Sequence, residues 1–291
     1  MGGGSYSYSD RQVRSESLGY HKKSEREIFT ERSINNAMDP HGVTLRESRD
    51  SEEHPNSVPV VLALDVTGSM GSIPTFLVKT GLPDMMDKII KDGVPDPQVL
   101  FLGVGDHEVD SAPLQVGQFE SSDELLDHWL TKLYIESGGG NNGGESYMLA
   151  WFFAGHYTET DHFDKRGKKG ILFTVGDEPV LPDLSARTQK SLMGGGEYSS
   201  AMSVELLDKA REKYEVFHLH IMEGSNGRRK EVQDGWKQLM GDHCILVEHK
   251  EDVAQIIADK VLEVVSSQQG STPVAQEPEP KEEKSDDGMM L

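Results

Sequence analysis

Cysteine is almost absent from the 291-residue sequence, which contains only Cys244 and therefore no pair that could form an internal disulfide. Its place in the apolar run "HCILVEH" is typical of a small strand residue, and a lone thiol suits a reducing compartment. A run of about 18 apolar residues is also missing, and the first residues lack the apolar core of a signal peptide. We therefore expect no membrane span and no standard secretion, and predict a cytoplasmic protein.

Basic residues are scarce as well. The 29 lysines and arginines are outnumbered by 50 aspartates and glutamates, so the formal net charge is −21. Such a charge repels phosphate backbones and anionic lipid, and we expect neither nucleic acid nor a membrane as partner. The one small basic cluster, residues 228–230, is interpreted as the solvated start of a helix.

The two ends of the chain differ in composition from its middle. Residues 1–56 are polar and show no sustained apolar period, which predicts an N-terminal arm. Two stretches of this arm, "REIFTERSI" and "HGVTLRES", are apolar enough to dock onto a domain or a partner. Residues 270–291 are rich in acids and proline and predict an acidic disordered tail. A single domain is expected over residues 57–269.

Within residues 57–269, apolar runs of strand length alternate with longer segments of helical period. This order predicts an α/β fold, with a doubly wound, mostly parallel sheet covered by helices on both faces. The run at 112–119 follows the strand at 98–105 too closely for a helical crossover, so we expect one antiparallel edge strand. Residues 73–90 predict a helix that is loosened near Pro83. Ligands of such sheets bind at the carboxyl ends of the strands.

The stretch "LALDVTGSMGS" places Asp65, Thr67 and Ser69 directly after a buried strand. Residues spaced by two in a tight turn can converge on one point, and three oxygens at one point suit a hard cation such as Mg²⁺ or Mn²⁺. The pattern alone is weak, and its position after a strand strengthens it.

Two further segments end in polar residues. "ILFTVGDEP" places Asp177 just beyond a second strand, where it is either a site residue or a turn acid before Pro179. "ESGGGNNGGESYMLAW" places Asn142, Glu145 and Ser146 before a helix, either at a site or in a flexible, capped loop. Because all these segments fall at the same predicted sheet edge, we favour a single metal site.

These three motifs, in this order, resemble a von Willebrand factor type A (VWA) domain with its metal-ion-dependent adhesion site, over about residues 57–267. The resemblance implies a Mg²⁺ or Mn²⁺ ion bound by the hydroxyls of Thr67 and Ser69, with Asp65 and Asp177 acting directly or through water. It also implies an open coordination position for a carboxylate of a partner protein. Similar stand-alone domains in bacteria and phages imply a non-enzymatic partner in an assembly or chaperone complex, such as one containing an AAA+ ATPase.

The middle motif departs from the family, because many members carry threonine where this sequence has Glu145. Asp65 and Asp177 neutralise a divalent ion, and a third carboxylate touching it would make the site net negative and less attractive to an acidic ligand. Either Glu145 lies behind the ligands, with Asn142 or Ser146 supplying the neutral oxygen, or the protein does not use an acidic ligand in the usual way. We favour the first arrangement.

Other polar clusters have simpler interpretations. The acids and histidine of "GVGDHEVD", residues 103–110, predict a hairpin turn with Asp106 near the metal rim. His218 and His220 are two apart on a strand, but without a third zinc ligand of suitable spacing they predict packing against a helix.

Two alternative functions stay open from the sequence. One is a metal-dependent phosphohydrolase in which Asp65 is the nucleophile or a ligand. The other is a scaffold with a vestigial metal site, whose arm and tail make the contacts.

Overall fold

A six-stranded sheet organises residues 4–68, 70–136 and 143–269, which are the residues that the computed structural model describes. The strands of this part of the chain are β1 (Arg46–Ser48), β2 (Val58–Asp65), β3 (Pro97–Val104), β4 (Leu114–Glu120), β5 (Thr158–Thr160), β6 (Gly170–Gly176), β7 (Asp183–Leu184), β8 (Ala201–Met202), β9 (Tyr214–Ile221) and β10 (Cys244–Val247). The α-helices are α1 (Tyr8–Leu18), α2 (Glu25–Ile28), α3 (Ser72–Phe76), α4 (Leu82–Lys91), α5 (Asp123–Thr131), α6 (Met148–Tyr157), α7 (Asp161–Asp164), α8 (Ala186–Met193), α9 (Ser203–Arg211), α10 (Lys230–Met240) and α11 (Val253–Gln269). None of the described helices is both long and apolar enough to cross a membrane.

The strand order is β10-β9-β6-β2-β3-β4. Every neighbouring pair in this sheet is parallel except β3 and β4, which pair antiparallel and place β4 at the edge. The predicted α/β fold class and its antiparallel edge strand are therefore confirmed. Strand β2 lies at the centre, and all eight of its residues are buried because helices cover both faces of the sheet.

Successive β2 side chains enter two separate cores, as the two-residue period of a strand requires. Val60, Leu62 and Leu64 belong to a core cluster with buried residues of α4, α5 and α11. Val61 and Ala63 face the opposite way and pack with α6 and α9. Helix α6 packs against both the sheet and α9, and it is therefore buried along nearly its whole length.

A π-helical turn over Leu77–Gly81 joins α3 to α4 and corresponds to the predicted loosening. Pro83 has no amide hydrogen, and its ring crowds the carbonyl four residues earlier, so a regular helix is unfavourable here. A Cβ atom at Gly81 would lie 2.6 Å from the ring of Phe76, so a larger residue there would require this half-buried ring to move.

Residues 4–56 pack against the helical layer through a buried ion pair. Arg11 of α1 is fully buried; its guanidinium pairs with Asp127 of α5, and its Nη2 donates to the carbonyl oxygen of Val78 at 2.6 Å. The hydroxyl of Tyr20 donates to the same Asp127 carboxylate at 2.7 Å. Arg11, Tyr20 and Asp127 therefore form a connected polar network beneath α1.

The same segment covers the β4 edge of the sheet. The amide of Val116 donates to the carbonyl oxygen of Met38 at 2.8 Å, and Nε of Arg46 donates to that of Gly117 at 2.7 Å. Edge strands with unpaired backbone groups tend to pair with other chains. These two contacts give backbone groups of the β4 edge hydrogen-bond partners within the chain.

Candidate functional site

Three buried carboxylates lie where neighbouring parallel strands end. Asp65 is the last residue of β2, Asp106 follows the end of β3, and Asp177 comes directly after β6. Because β2 pairs in parallel with both β3 and β6, these ends lie at one edge of the sheet. This edge is the location predicted from the sequence.

Asp65 is held by hydrogen bonds to both of its oxygens. Its Oδ1 accepts from the amide of Thr67 at 2.9 Å and from Thr67 Oγ1 at 2.6 Å, and its Oδ2 accepts from the hydroxyl of Tyr147 at 2.9 Å. Thr67 thus donates its hydroxyl hydrogen to Asp65, which leaves the lone pairs of Oγ1 for another group. Burial raises the pKa of Asp65 to about 7; the hydrogen bonds oppose this rise, and the charge of Asp177 adds to it.

Asp177 lies under a loop whose backbone comes very close. Its Oδ2 accepts from the amide of Asn226 at 2.8 Å, while Oδ1 is buried without a hydrogen-bond partner in the described part of the chain. A Cβ atom at Gly224 would lie 2.4 Å from Cγ of Asp177, so this approach requires glycine. Burial raises the pKa of Asp177 above its ordinary value.

Glu145 is fixed beside the segment that follows Asp177. Its amide donates to the carbonyl oxygen of Pro179 at 2.8 Å, and its carbonyl accepts from the amide of Leu181 at 3.0 Å. Burial and, next, the charge of Asp65 raise the pKa of Glu145 to about 10. In the absence of a cation, Glu145 is therefore a neutral acid at pH 7.

Three carboxylate oxygens at this edge lack a hydrogen-bond partner among the described residues: Oδ2 of Asp106, Oε2 of Glu145 and Oδ1 of Asp177. Buried polar atoms of this kind are costly unless a bound group satisfies them. The donor set therefore fits a hard cation. In the described residues, however, no three carboxylate, imidazole or thiol groups are placed to hold a metal by themselves. A divalent ion here would also need hydroxyl oxygens such as that of Thr67, and water.

The structure ties Ser146 to the β3–β4 turn. Ser146 Oγ accepts from the amide of His107 at 2.9 Å and lies 2.7 Å from its Nδ1. The turn itself is closed by the amide of Glu108, which donates to Asp106 at 2.9 Å, and by the amide of Asp106, which donates to Asp110 at 2.7 Å. The interpretation of this segment as a hairpin turn is confirmed.

Two of the predicted site residues, Ser69 and Asn142, lie outside the described residues. The structure brings Asp65 and Thr67 into contact and couples the charges of Asp65, Asp177 and Glu145.

The two histidines of β9 are packing residues, as predicted. His218 stacks on Trp236 with ring centroids 3.5 Å apart, and its Nδ1 lies 2.9 Å from Oγ1 of Thr174. Nε2 of His220 lies 3.0 Å from the carbonyl oxygen of Gly227. Burial lowers the pKa of both rings, so both are neutral at pH 7.

Tyr147 is the site residue that sequence reasoning missed. It is fully buried, its ring packs edge-on against His218 and Trp236, and its hydroxyl bonds to Asp65. A Cβ atom at Gly176 would lie 1.9 Å from the Tyr147 hydroxyl, so the end of β6 must be glycine there. The sequence indicates the contact between Tyr147 and Asp65 only weakly. Its signals are an aromatic residue directly after the polar residues Glu145 and Ser146, and the "VGD" of residues 175–177.

Replacing Tyr147 by phenylalanine should lower the free energy of unfolding by about 1–3 kcal/mol at pH 8, because Oδ2 of Asp65 loses its donor while buried. Urea denaturation of both proteins measures this difference. The matched control is Tyr157→Phe, whose half-buried hydroxyl contacts only Tyr198 among the described residues. Equal losses in the two variants would contradict a specific role for the Tyr147 hydroxyl.

Several solved structures are similar to this chain at low sequence identity. The pilus adhesin SpaC from Lactobacillus rhamnosus GG, in its open conformation, is 11% identical, with 76% of this chain and 31% of the adhesin covered and a TM-score of 0.49. Proximal thread matrix protein 1 from the mussel byssus is 11% identical, with coverages of 72% and 48% and a TM-score of 0.45. The VWA domain of SpRpn10 is 10% identical, with coverages of 67% and 92% and a TM-score of 0.41.

The chain spans less than half the length of the adhesin and of the byssus protein. No protein-family model matches the sequence. No curated protein matches it either.

Proposed function

We propose that this protein is a metal-dependent protein-interaction module of the VWA type, which binds Mg²⁺ or Mn²⁺ at the edge formed by Asp65, Thr67 and Asp177. The observation that carries the proposal is the Thr67 hydroxyl, whose hydrogen is donated to Asp65 and whose oxygen is thereby left for a cation. Ser69 joins this set through the sequence pattern. A carboxylate of the partner protein completes the coordination of the ion.

A position of Glu145 behind the ligands is compatible with an acidic partner. A Glu145 carboxylate on the ion would make the ion and its ligands net negative, whereas a side chain behind the ligands would not. When Asp65 and Asp177 are the only carboxylates on the ion, they neutralise it, and the ion still attracts a carboxylate at its open position. Glu145 then lies behind the ligands, and Ser146 or Asn142 provides a neutral oxygen.

The burial of Asp65 favours binding over catalysis. Asp65 is only 1% exposed, which leaves a bulky phosphate ester little access to its oxygens. The lone cysteine and the likeness to stand-alone bacterial and phage domains support a cytoplasmic role in an assembly or chaperone complex. An AAA+ ATPase is the kind of partner that this likeness favours.

Isothermal titration calorimetry tests the metal assignment directly. We expect one site for Mg²⁺ or Mn²⁺ in the wild type, and binding weaker by at least about tenfold in Asp65→Ala, because that change removes the group that orients Thr67. The control is Asp234→Ala, which removes an exposed acid from α10. Equal affinity of the wild type and Asp65→Ala would refute the proposed site.

A further inference from the structure

A cleft of about 350 Å³ opens beside the candidate metal edge. Its walls come from three parts of the chain: residues 34–41, residues 107–114 of the β3–β4 turn, and α8. We call it the side cleft. Its volume lies at the lower end of the range for small-molecule sites and suits one or two side chains better than a large cofactor.

The side cleft shares a wall with the candidate metal edge. His107 lines the cleft, and both its amide and its ring contact Ser146 Oγ. Ser146 directly follows Glu145, whose pKa responds to the charge of Asp65. A molecule in the cleft therefore lies next to the residues that surround the proposed ion.

Part of the cleft lining is apolar. Ala112, Pro113 and Leu114 of this lining are buried, and Ile34 and Leu192 are half-buried. Beside it, Val109 at the tip of the turn is 55% exposed. These side chains offer an apolar surface to a bound group.

Two carboxylates, Asp39 and Asp110, also line the cleft, and neither has a balancing cation among the described residues. Asp39 accepts from the amide of His41 at 2.9 Å, and Asp110 accepts from the amide of Asp106. Neither forms an ion pair within the described part of the chain, and no lysine or arginine lines the cleft. A cation supplied from outside would meet these two acids beside His41 and His107, with no lysine or arginine among the lining residues.

A lining that combines apolar residues with two carboxylates fits the side chain of lysine or arginine, whose aliphatic stem packs on apolar surface while its head stays polar. The net charge of −21 adds a long-range attraction for basic partners.

We propose that the side cleft binds a lysine or arginine side chain of the partner protein, next to the carboxylate that completes the metal site. The pairing of the two contacts rests on the proposed function, whereas the cation subsite itself does not. The partner surface would then carry an acid and a base close together, and the two contacts would fix its orientation.

The test uses n-butylguanidinium and n-butylammonium as probes and 1-butanol as the uncharged control. Each is titrated without divalent metal into the ¹⁵N-labelled full chain, and amide shifts are followed by NMR. We expect both cations to shift amides of residues 107–112, 114 and 188–192, and the alcohol to bind at least about fivefold more weakly. Equal binding of 1-butanol, or cation shifts confined to other residues, would overturn the proposal.

A pair of double variants separates the local contact from the long-range field. Asp39→Asn/Asp110→Asn should weaken n-butylguanidinium binding by at least about fivefold, because asparagine keeps the backbone hydrogen bonds but not the charge. Asp234→Asn/Asp242→Asn changes the net charge equally at exposed positions away from the cleft and should leave binding unchanged. Equal weakening in both would show that only the overall charge matters and would refute the subsite.

Unchanged amide shifts outside the cleft establish that each variant is folded. Because the titrations contain no metal, their outcome is independent of the calorimetric test of the metal site. A chain that binds the probes but not Mg²⁺ would keep the subsite and lose the proposed function. The reverse result would keep the metal site and lose the subsite.

Discussion

Mg²⁺ should bind about tenfold more tightly for each unit of pH below about pH 6, and the affinity should level off above pH 7. Burial raises the pKa of Asp65 to about 7, so below that pH the carboxyl carries a proton that the ion must displace. One proton released per ion corresponds to a tenfold change in affinity per pH unit. Above the pKa no proton is displaced at Asp65, and the dependence ends.

Calorimetry in buffers with different enthalpies of ionisation measures both the affinity and the number of protons released. Asp65→Asn should bind the ion weakly and lose most of the dependence on pH. Glu145→Gln should keep both the affinity and the profile, because a Glu145 side chain behind the ligands does not contact the ion. A profile that flattens in Glu145→Gln instead would place the Glu145 carboxylate on the ion.

Replacing Asp127 by alanine should lower the free energy of unfolding by about 3–5 kcal/mol. Arg11 is fully buried, and without Asp127 its charge would remain in the interior with the Val78 carbonyl oxygen as its one acceptor among the described residues. The hydroxyl of Tyr20 would lose its acceptor as well. Urea denaturation followed by tryptophan fluorescence measures the loss.

The control for this prediction is Glu124→Ala, one turn away on the same helix. The Glu124 side chain is 72% exposed and pairs with Arg14 at the surface, so its removal should cost at most about 1 kcal/mol. The double variant Arg11→Met/Asp127→Leu should recover much of the stability, since it removes both buried charges together. A loss below about 1 kcal/mol in Asp127→Ala would show that residues 4–56 contribute little to the fold.

The sheet was predictable because its strands carry their own signal. The run at 58–64 is apolar throughout, and a strand buried on both faces needs no other information to be recognised. The short connection before residues 112–119 likewise allowed only an antiparallel neighbour. Local sequence thus determined both the class of the fold and the edge at which polar residues gather.

The packing of the site was less predictable because it depends on contacts between distant residues. Tyr147 reaches Asp65 across 82 positions of the chain, and Arg11 reaches Asp127 across 116. Neither contact leaves a periodic pattern in the sequence. The rise in the pKa of Glu145 has the same origin, since it follows from burial and from the charge of Asp65.

The cover that Met38 and Arg46 provide for β4 limits how this fold can be inherited. A recombination event that transferred only residues 57–269 into another gene would give a sheet whose β4 edge lacks these hydrogen bonds. It would also leave the Asp127 carboxylate without its partner Arg11. The recipient would have to supply a substitute for both at once. We therefore expect residues 4–56 and the sheet to be inherited together.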